Sequence, residues 1–209
     1  MKETSKKQIR ALSCFSTEKE FLTSIEKKAE KEKIPITGHS VCRFLELFCF
    51  AKNPEKILEI GCGLGYSSYF LIKNLKGSYL GIDLNTGRLK EAEHLLKGIF
   101  KDKDITFHSG NAIDVLKNID LSFDLVFIDA AKAQYPDYLK ALMGKVKKNS
   151  YIAADNILYK GLVFEGPLPG HHKNSVAGIR EYLYLVSNTC NFNTRIFDIG
   201  DGISVSEVL

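Results

Sequence analysis

Leu58-Glu59-Ile60-Gly61-Cys62-Gly63-Leu64-Gly65-Tyr66-Ser67 is the stretch that decides the fold. An apolar run of strand length ends beside an acid, and three glycines at alternate positions then lead into a helical segment. Glycine allows positive φ in such a turn and lets a ligand come close to the backbone. A strand, a glycine turn and a helix open a doubly wound sheet, whose ligands gather outside the carboxyl ends of the strands. The spacing is G-x-G-x-G rather than the G-x-G-x-x-G of dinucleotide sites, which disfavours an NAD-dependent dehydrogenase. No Lys-Ser/Thr pair follows, which excludes a P-loop.

The pattern repeats downstream. Lys56–Ile60, Ser78–Ile82, Ile105–His108, Leu125–Ile128 and Tyr151–Ala154 each read as a buried strand. Helical stretches are expected near Tyr66–Leu75, Thr86–Phe100, Ala112–Leu116 and Tyr135–Val146. Such alternation makes right-handed crossovers and a parallel sheet with helices on both faces. After a helix around Val176–Ser187, the runs Asn193–Ile199 and Ile203–Val208 flank Gly200-Asp201-Gly202, a hairpin signal. Upstream, Phe21, Leu22, Ile25 and Ala29 recur at helical spacing after a start at Ser16–Glu20. Pro35 ends that helix, and Val41, Phe44, Leu45, Phe48 and Cys49 form the apolar face of a second. The expectation is one α/β domain over residues 1–209, with a helical preface (1–52) and a sheet core (53–209).

The 209 residues are 44% hydrophobic and 26% charged, the composition of a globular chain large enough to bury a core. That excludes disorder, a disulfide mini-protein and a repeat array. A net charge of +4 permits an anionic partner without requiring one. No stretch reaches the roughly 18–20 apolar residues of a membrane span. Val41–Ala51 is short and carries Arg43 and Glu46, and no apolar signal core follows the charged N-terminus. A cytoplasmic protein with no membrane partner is expected. The five cysteines are odd in number and without CxxC or metal-like spacing, so reduced, mostly buried thiols are expected.

The strand ends carry the chemistry. Glu59 before the glycines suits a ligand with a cationic end, such as the amino group of S-adenosylmethionine. Asp83 closes the next strand, where a carboxylate can accept both ribose hydroxyls. The plainer alternative is a packing turn, with Asp83 as a helix cap. Asn111 and Ala112, in the loop Ser109-Gly110-Asn111-Ala112, would lie beside an adenine ring, and a plain cap at Asn111 is an equal alternative. Asp129 ends the fourth strand and Asp155-Asn156 the fifth, so all three face one crevice. Taken singly, either acid reads as a cap or loop carboxylate. Together they are an all-oxygen set suited to Mg²⁺, Mn²⁺ or Ca²⁺ rather than Zn²⁺. Three protein ligands leave room for water or a bidentate substrate. Lys132, alone a solvated lysine, becomes beside Asp129 a candidate base for a metal-acidified hydroxyl. His171-His172 sits in a Gly- and Pro-rich stretch, Gly166–Asn174, and reads as part of a flexible loop, solvated or serving as a substrate flap.

Three motifs carry a resemblance: Ile57-Leu58-Glu59-Ile60-Gly61 with Gly65-Tyr66-Ser67, then Phe127-Ile128-Asp129-Ala130-Ala131-Lys132, then Asp155-Asn156-Ile157-Leu158-Tyr159-Lys160-Gly161. In this order the chain resembles the divalent-metal-dependent O-methyltransferases, which include catechol and caffeoyl-coenzyme A enzymes. The likeness runs from about Ile34 to the end, through Gly200-Asp201-Gly202-Ile203-Ser204. It implies a Rossmann-like seven-stranded methyltransferase sheet, mostly parallel with a C-terminal antiparallel hairpin, and a homodimer. It further implies that Asp129, Asp155 and Asn156 hold the metal and that Lys132 is the catalytic base. Glu59, Gly61, Ser67, Asp83, Asn111, Ala112 and Asp129 would hold S-adenosylmethionine, with Thr37 a further cofactor contact and Lys160 a substrate contact. Ala131 departs from the acid many members carry there, and points to the bacterial branch.

The acceptor must offer a hydroxyl beside a second metal-binding oxygen. Ile128-Asp129-Ala130-Ala131-Lys132-Ala133-Gln134-Tyr135 and Asp155–Val163 look most like bacterial enzymes that methylate 5-hydroxyuridine at the tRNA wobble position. Lys145, Lys147, Lys148, Lys160 and Lys173 would suit a phosphate backbone, although the loop after Lys160 lacks a dense arginine cluster. The reading leans to tRNA. A small catechol-type acceptor is the rival, and a non-catalytic S-adenosylmethionine-binding module is the rival of another class.

Overall fold

The computed structural model describes residues 16–168 and 170–209. Cys14 and the charged N-terminal segment lie outside the described residues, as does Pro169. The chain divides into two compact units, Met1–Ile36 and Thr37–Leu209.

In the first unit, helix α1 (Ser16–Glu32) carries the expected stripe, with Phe21, Leu22, Ile25 and Ala29 all buried. Ile34 N–H closes the helix end by donating to the Ala29 carbonyl at 2.8 Å.

The second unit begins earlier than the change of sequence pattern at residue 52, because helix α2 (His39–Lys52) belongs to it. Val41, Cys42, Leu45 and Cys49 are buried on α2. The elements that follow are β1 (Lys56–Ile60), α3 (Tyr66–Lys73), β2 (Ser78–Asp83), α4 (Thr86–Ile99), β3 (Asp104–Ser109), α5 (Ala112–Lys117) and β4 (Phe123–Ile128). After β4 come α6 (Tyr135–Leu142), β5 (Val146–Asp155), α7 (Gly170–Val186), β6 (Phe192–Phe197) and β7 (Ile203–Val208).

One seven-stranded sheet runs β3-β2-β1-β4-β5-β7-β6. The first five strands are parallel, and β7 pairs antiparallel with both β5 and β6. The expected fold class is thus borne out. Strands buried on both faces need near-continuous apolar sequence, which is why they were legible. Leu58, Ile60, Leu80, Ile82, Val126, Ile128, Ile152 and Ala154 form one cluster with Leu116 of α5, Leu139 and Leu142 of α6, and Val176, Ile179 and Tyr182 of α7. The alternate residues, among them Ile57, Glu59, Tyr79 and Phe127, are buried as well and point to the opposite face by the two-residue period.

Two expectations are corrected. The helix expected over Tyr135–Val146 stops at Leu142, where Met143 takes an extended conformation (φ −62°, ψ 126°) and Gly144 has φ +87°. β5 therefore starts at Val146, pairing with Phe123, and its polar entry Lys147-Lys148-Asn149 is exposed. The stretch around His171-His172 is not loop throughout, since α7 begins at Gly170 and both histidines lie in its first turn. The apolar spacing of Val176, Ile179 and Tyr182 carries the helix back into that polar segment.

Among the described residues, no helix is long and apolar enough to cross a membrane. Cys42, Cys49 and Cys62 are buried free thiols, and Cys190 is free and exposed.

Candidate active site

The parallel order places the ends of β1, β2, β4 and β5 along one edge. The register Ile60↔Ile128 and Ile128↔Ala154 sets Gly61, Asp129 and Asp155 side by side just beyond the last paired rungs. Adjacent strands lie about 4.8 Å apart, so these groups share one crevice.

The glycine turn is built for that crowding. Gly61 has φ +94°, and a Cβ there would meet the Asp129 carbonyl oxygen at 2.2 Å. The missing side chain therefore serves the approach of β4 as well as any ligand. Gly65, at φ +81°, precedes α3. Gly63 N–H donates to Asp83 Oδ2 at 2.8 Å, and Asn85 N–H donates to Asp83 Oδ1 at 2.8 Å. An ionised carboxylate has about four acceptor positions, so two remain for further donors. The cap of α4 is Asn85, whose side chain accepts from Arg88 N–H, and not Asp83.

Glu59 is fully buried. Its Oε1 accepts from Ser67 Oγ at 2.5 Å, and its Oε2 accepts from Ser68 Oγ at 2.6 Å and from the Tyr79 hydroxyl. Burial pushes the carboxyl above its ordinary range, opposed by these three donors, and the negative Asp129 adds to the rise.

Asp129 is held from two sides. Thr37 Oγ1 donates to Oδ2 at 2.9 Å, and Lys132 Nζ donates to Oδ1 at 2.6 Å. The two side chains of the Lys132–Asp129 pair are only 15% and 17% exposed. Lys132 opens a 3-10 turn, Lys132–Gln134, and its ammonium lies 5.5 Å from the Tyr135 ring centroid. Asp155 is buried, and Asn156 N–H donates to its Oδ1 at 2.8 Å. Burial first, and then the charge of Asp129, push the Asp155 carboxyl up to about 7. Asn156 itself stands at φ +57°. Among the described residues no cluster of three or more His, Cys, Asp or Glu is gathered as for a metal. The donor set here is two carboxylates and an amide, and the strained ionisation of Asp155 is what a hard cation would relieve.

The remaining candidates are more dispersed. Asn111 caps α5 through Ile113 N–H at 2.9 Å, the plainer of its two readings, and Ala112 is buried behind it. Lys160 is exposed in a kinked 3-10 segment, Tyr159–Phe164, at φ 57°. Its backbone N–H donates to Asp201 Oδ1 at 2.7 Å, so the β6–β7 turn ties down the segment leaving β5.

Four residues were missed from sequence. Tyr135 is buried, and its hydroxyl donates to the Asp155 carbonyl at 2.9 Å, behind the carboxylates. Gly178 of α7 lies so near the Lys132 turn that a Cβ would meet the Lys132 carbonyl oxygen at 2.5 Å. Tyr79 and Ser68 complete the shell of Glu59. The only signals for these were two tyrosines, a serine and a glycine where aliphatics would serve packing better.

Known proteins resemble this chain in sequence and share its fold. A caffeoyl-CoA O-methyltransferase of Populus kitakamiensis is 28% identical over 97% of this chain and 92% of its own length. A candidate caffeoyl-CoA O-methyltransferase of Staphylococcus aureus superposes with a TM-score of 0.85 at 23% identity, covering 99% of this chain and all of its own. The O-methyltransferase of Bacillus cereus, solved in complex with SAH, superposes at 0.81 with 21% identity over 90% of each chain. The profile of the O-methyltransferase family matches residues 12–207, and with nearly the whole chain covered, this protein belongs to that family.

Proposed function

We propose that the chain transfers the methyl group of S-adenosylmethionine to a hydroxyl that neighbours a second metal-binding oxygen, with a divalent cation held by Asp129, Asp155 and Asn156. The observation that carries this is the Lys132–Asp129 contact at 2.6 Å beside an Asp155 carboxyl that burial and Asp129 push up to about 7. A base candidate and an under-compensated acidic pair share one crevice at the strand ends.

Glu59, Gly61, Ser67 and Asp83 line the donor side, and Asp83 keeps acceptor capacity for ribose hydroxyls. Asn111 and Ala112 bound the adenine side. The cation, when bound, supplies Lewis acidity to the hydroxyl that it holds. Lys132 Nζ is the group positioned to take the hydroxyl's proton, and Asp129 and the Tyr135 ring hold that nitrogen in place. Thr37 fixes the second oxygen of Asp129, so the carboxylate does not swing away. Bringing donor methyl and acceptor oxygen together is worth up to about 7–11 kcal/mol in favourable cases.

For the acceptor we favour a small vicinal diol of catechol type. The Populus relative is named for a caffeoyl acceptor, a group with two neighbouring ring hydroxyls. Of the lysines that suggested a phosphate backbone, Lys147 and Lys148 enter β5 at the end opposite Asp155, roughly 25 Å away at 3.3 Å per residue. Lys145 is engaged with the Ile119 carbonyl. Only Lys160 and Lys173 of that set belong to the segments that follow the site end of β5. tRNA containing 5-hydroxyuridine remains the competing acceptor in the test. Labelled S-adenosylmethionine with Mg²⁺ is offered with a catechol or with that tRNA, each with and without EDTA. EDTA-sensitive label in the catechol supports the reading, label only in tRNA replaces the acceptor class, and EDTA-insensitive label overturns the cation.

A further inference from the structure

Beside the glycine turn, two titratable groups are buried together. The fully buried Tyr79 of β2 gives its hydroxyl to Glu59 Oε2 and lies 2.9 Å from Ser68 Oγ. The pairing Glu59↔Gly81 puts Tyr79, two residues before Gly81, on the same face as Glu59. Room for the phenol depends on Gly81, where a Cβ would stand 2.9 Å from the Tyr79 hydroxyl and 2.8 Å from Phe107 Cδ1. A glycine inside a strand weakens it unless close approach requires one, and here the phenol and Phe107 do. Ser68 and Tyr79 together occupy Oε2, leaving Oε1 for Ser67 at 2.5 Å. The last torsion of a glutamate is broad, so without such donors the carboxylate has no fixed plane. Ser67 stands at the start of α3, immediately after the turn at Gly65-Tyr66.

We propose that Tyr79, acting with Ser68, is a positioning residue for methyl-donor binding: it locks the Glu59 carboxylate and, through it, Ser67 and the first turn of α3 against the methionine end of S-adenosylmethionine. This rests on the donor reading above. Tyr79 touches no reacting atom and sets only the orientation of Glu59 and Ser67, the groups that hold the donor.

The test compares wild type, Tyr79→Phe, Ser68→Ala and the double variant, with SAH binding measured by calorimetry at a temperature where circular dichroism shows all four folded. Phenylalanine keeps the ring and removes only the hydroxyl. Each single change is expected to weaken SAH binding and raise the KM for S-adenosylmethionine by about fivefold or more. kcat at saturating donor and the acceptor KM stay within about twofold, because the Lys132 side is untouched. The double variant falls short of the product of the two, since both donors serve one oxygen. A phenol that is merely structural would lower Tm without separating KM from kcat. Tyr79→Phe with wild-type SAH affinity and KM, or singles whose effects multiply in full, overturns the proposal. Wild type that does not bind SAH overturns the donor reading itself.

Discussion

Asp155→Asn should stabilise the metal-free protein while removing the metal-dependent activity proposed above. Asp155 is 1% exposed, and burial with the neighbouring Asp129 pushes its carboxyl pKa up to about 7 from an ordinary 3.8. Below pH 3.8 the group is protonated in folded and unfolded chains alike and contributes nothing. Between about 4 and 7 the unfolded chain loses the proton first, so the folded state binds more protons and stability falls as pH rises. Above 7 the loss is complete, at about 4 kcal/mol by the pKa difference. Asparagine cannot ionise, yet its carbonyl oxygen can still accept the Asn156 N–H that donates to Oδ1 at 2.8 Å. In EDTA, the stability gap in favour of Asp155→Asn should grow from about 1–2 kcal/mol at pH 5 to about 4 kcal/mol at pH 8. For a chain this size the latter is on the order of 10 °C in Tm. Mg²⁺ should close the gap by stabilising the wild type far more than the variant. Thermal melts at the two pH values, each with EDTA or Mg²⁺, decide it. A variant that melts below wild type at pH 8 in EDTA refutes the burial and charge argument. Equal Mg²⁺ stabilisation of both proteins would remove Asp155 from the cation site.

Lys132→Ala should lower kcat by about 10²–10⁴-fold and leave SAH affinity unchanged; calorimetry beside a turnover assay checks both, and unchanged turnover removes Lys132 as the base. Gly178→Ala forces a methyl to within 2.5 Å of the Lys132 carbonyl oxygen, so a loss of about 1–3 kcal/mol in stability is expected, together with a lower kcat at unchanged donor KM. Arg180 of α7 donates to the Val163 carbonyl at 2.8 Å and to the Glu165 carbonyl. Arg180→Ala should therefore loosen the Tyr159–Phe164 segment and raise the acceptor KM more than it lowers kcat, and steady-state kinetics varying each substrate in turn would show the reverse if that segment served the donor.

Much of this molecule was written locally. Strand runs such as Leu125–Ile128 are apolar without interruption because both faces of the sheet are covered, and no other local pattern accounts for them as well. Gly61, Gly63 and Gly65 needed φ of +94°, +51° and +81°, a requirement visible in residue type alone. An acid at the end of each of several strands then located the crevice, because parallel topology brings carboxyl ends to one edge whatever the register.

What escaped reading was set by neighbours distant in the chain. Lys147 and Lys148 look like solvated loop, and they extend β5 only because Val146 pairs with Phe123. His171 and His172 are helical because Val176, Ile179 and Tyr182 have a core to enter. The shell of Glu59 joins residues 8, 9 and 20 positions away, and the clamp on Asp129 reaches back 92 residues to Thr37. The amino-acid sequence by itself determined where the apolar cores of the strands lie and where glycine must stand, since those depend on covalent geometry and local apolar pattern. Only the tertiary structure decided which hydroxyl meets which carboxylate, because a hydrogen bond in a buried site is selected by the register of strands and helices that no local pattern encodes.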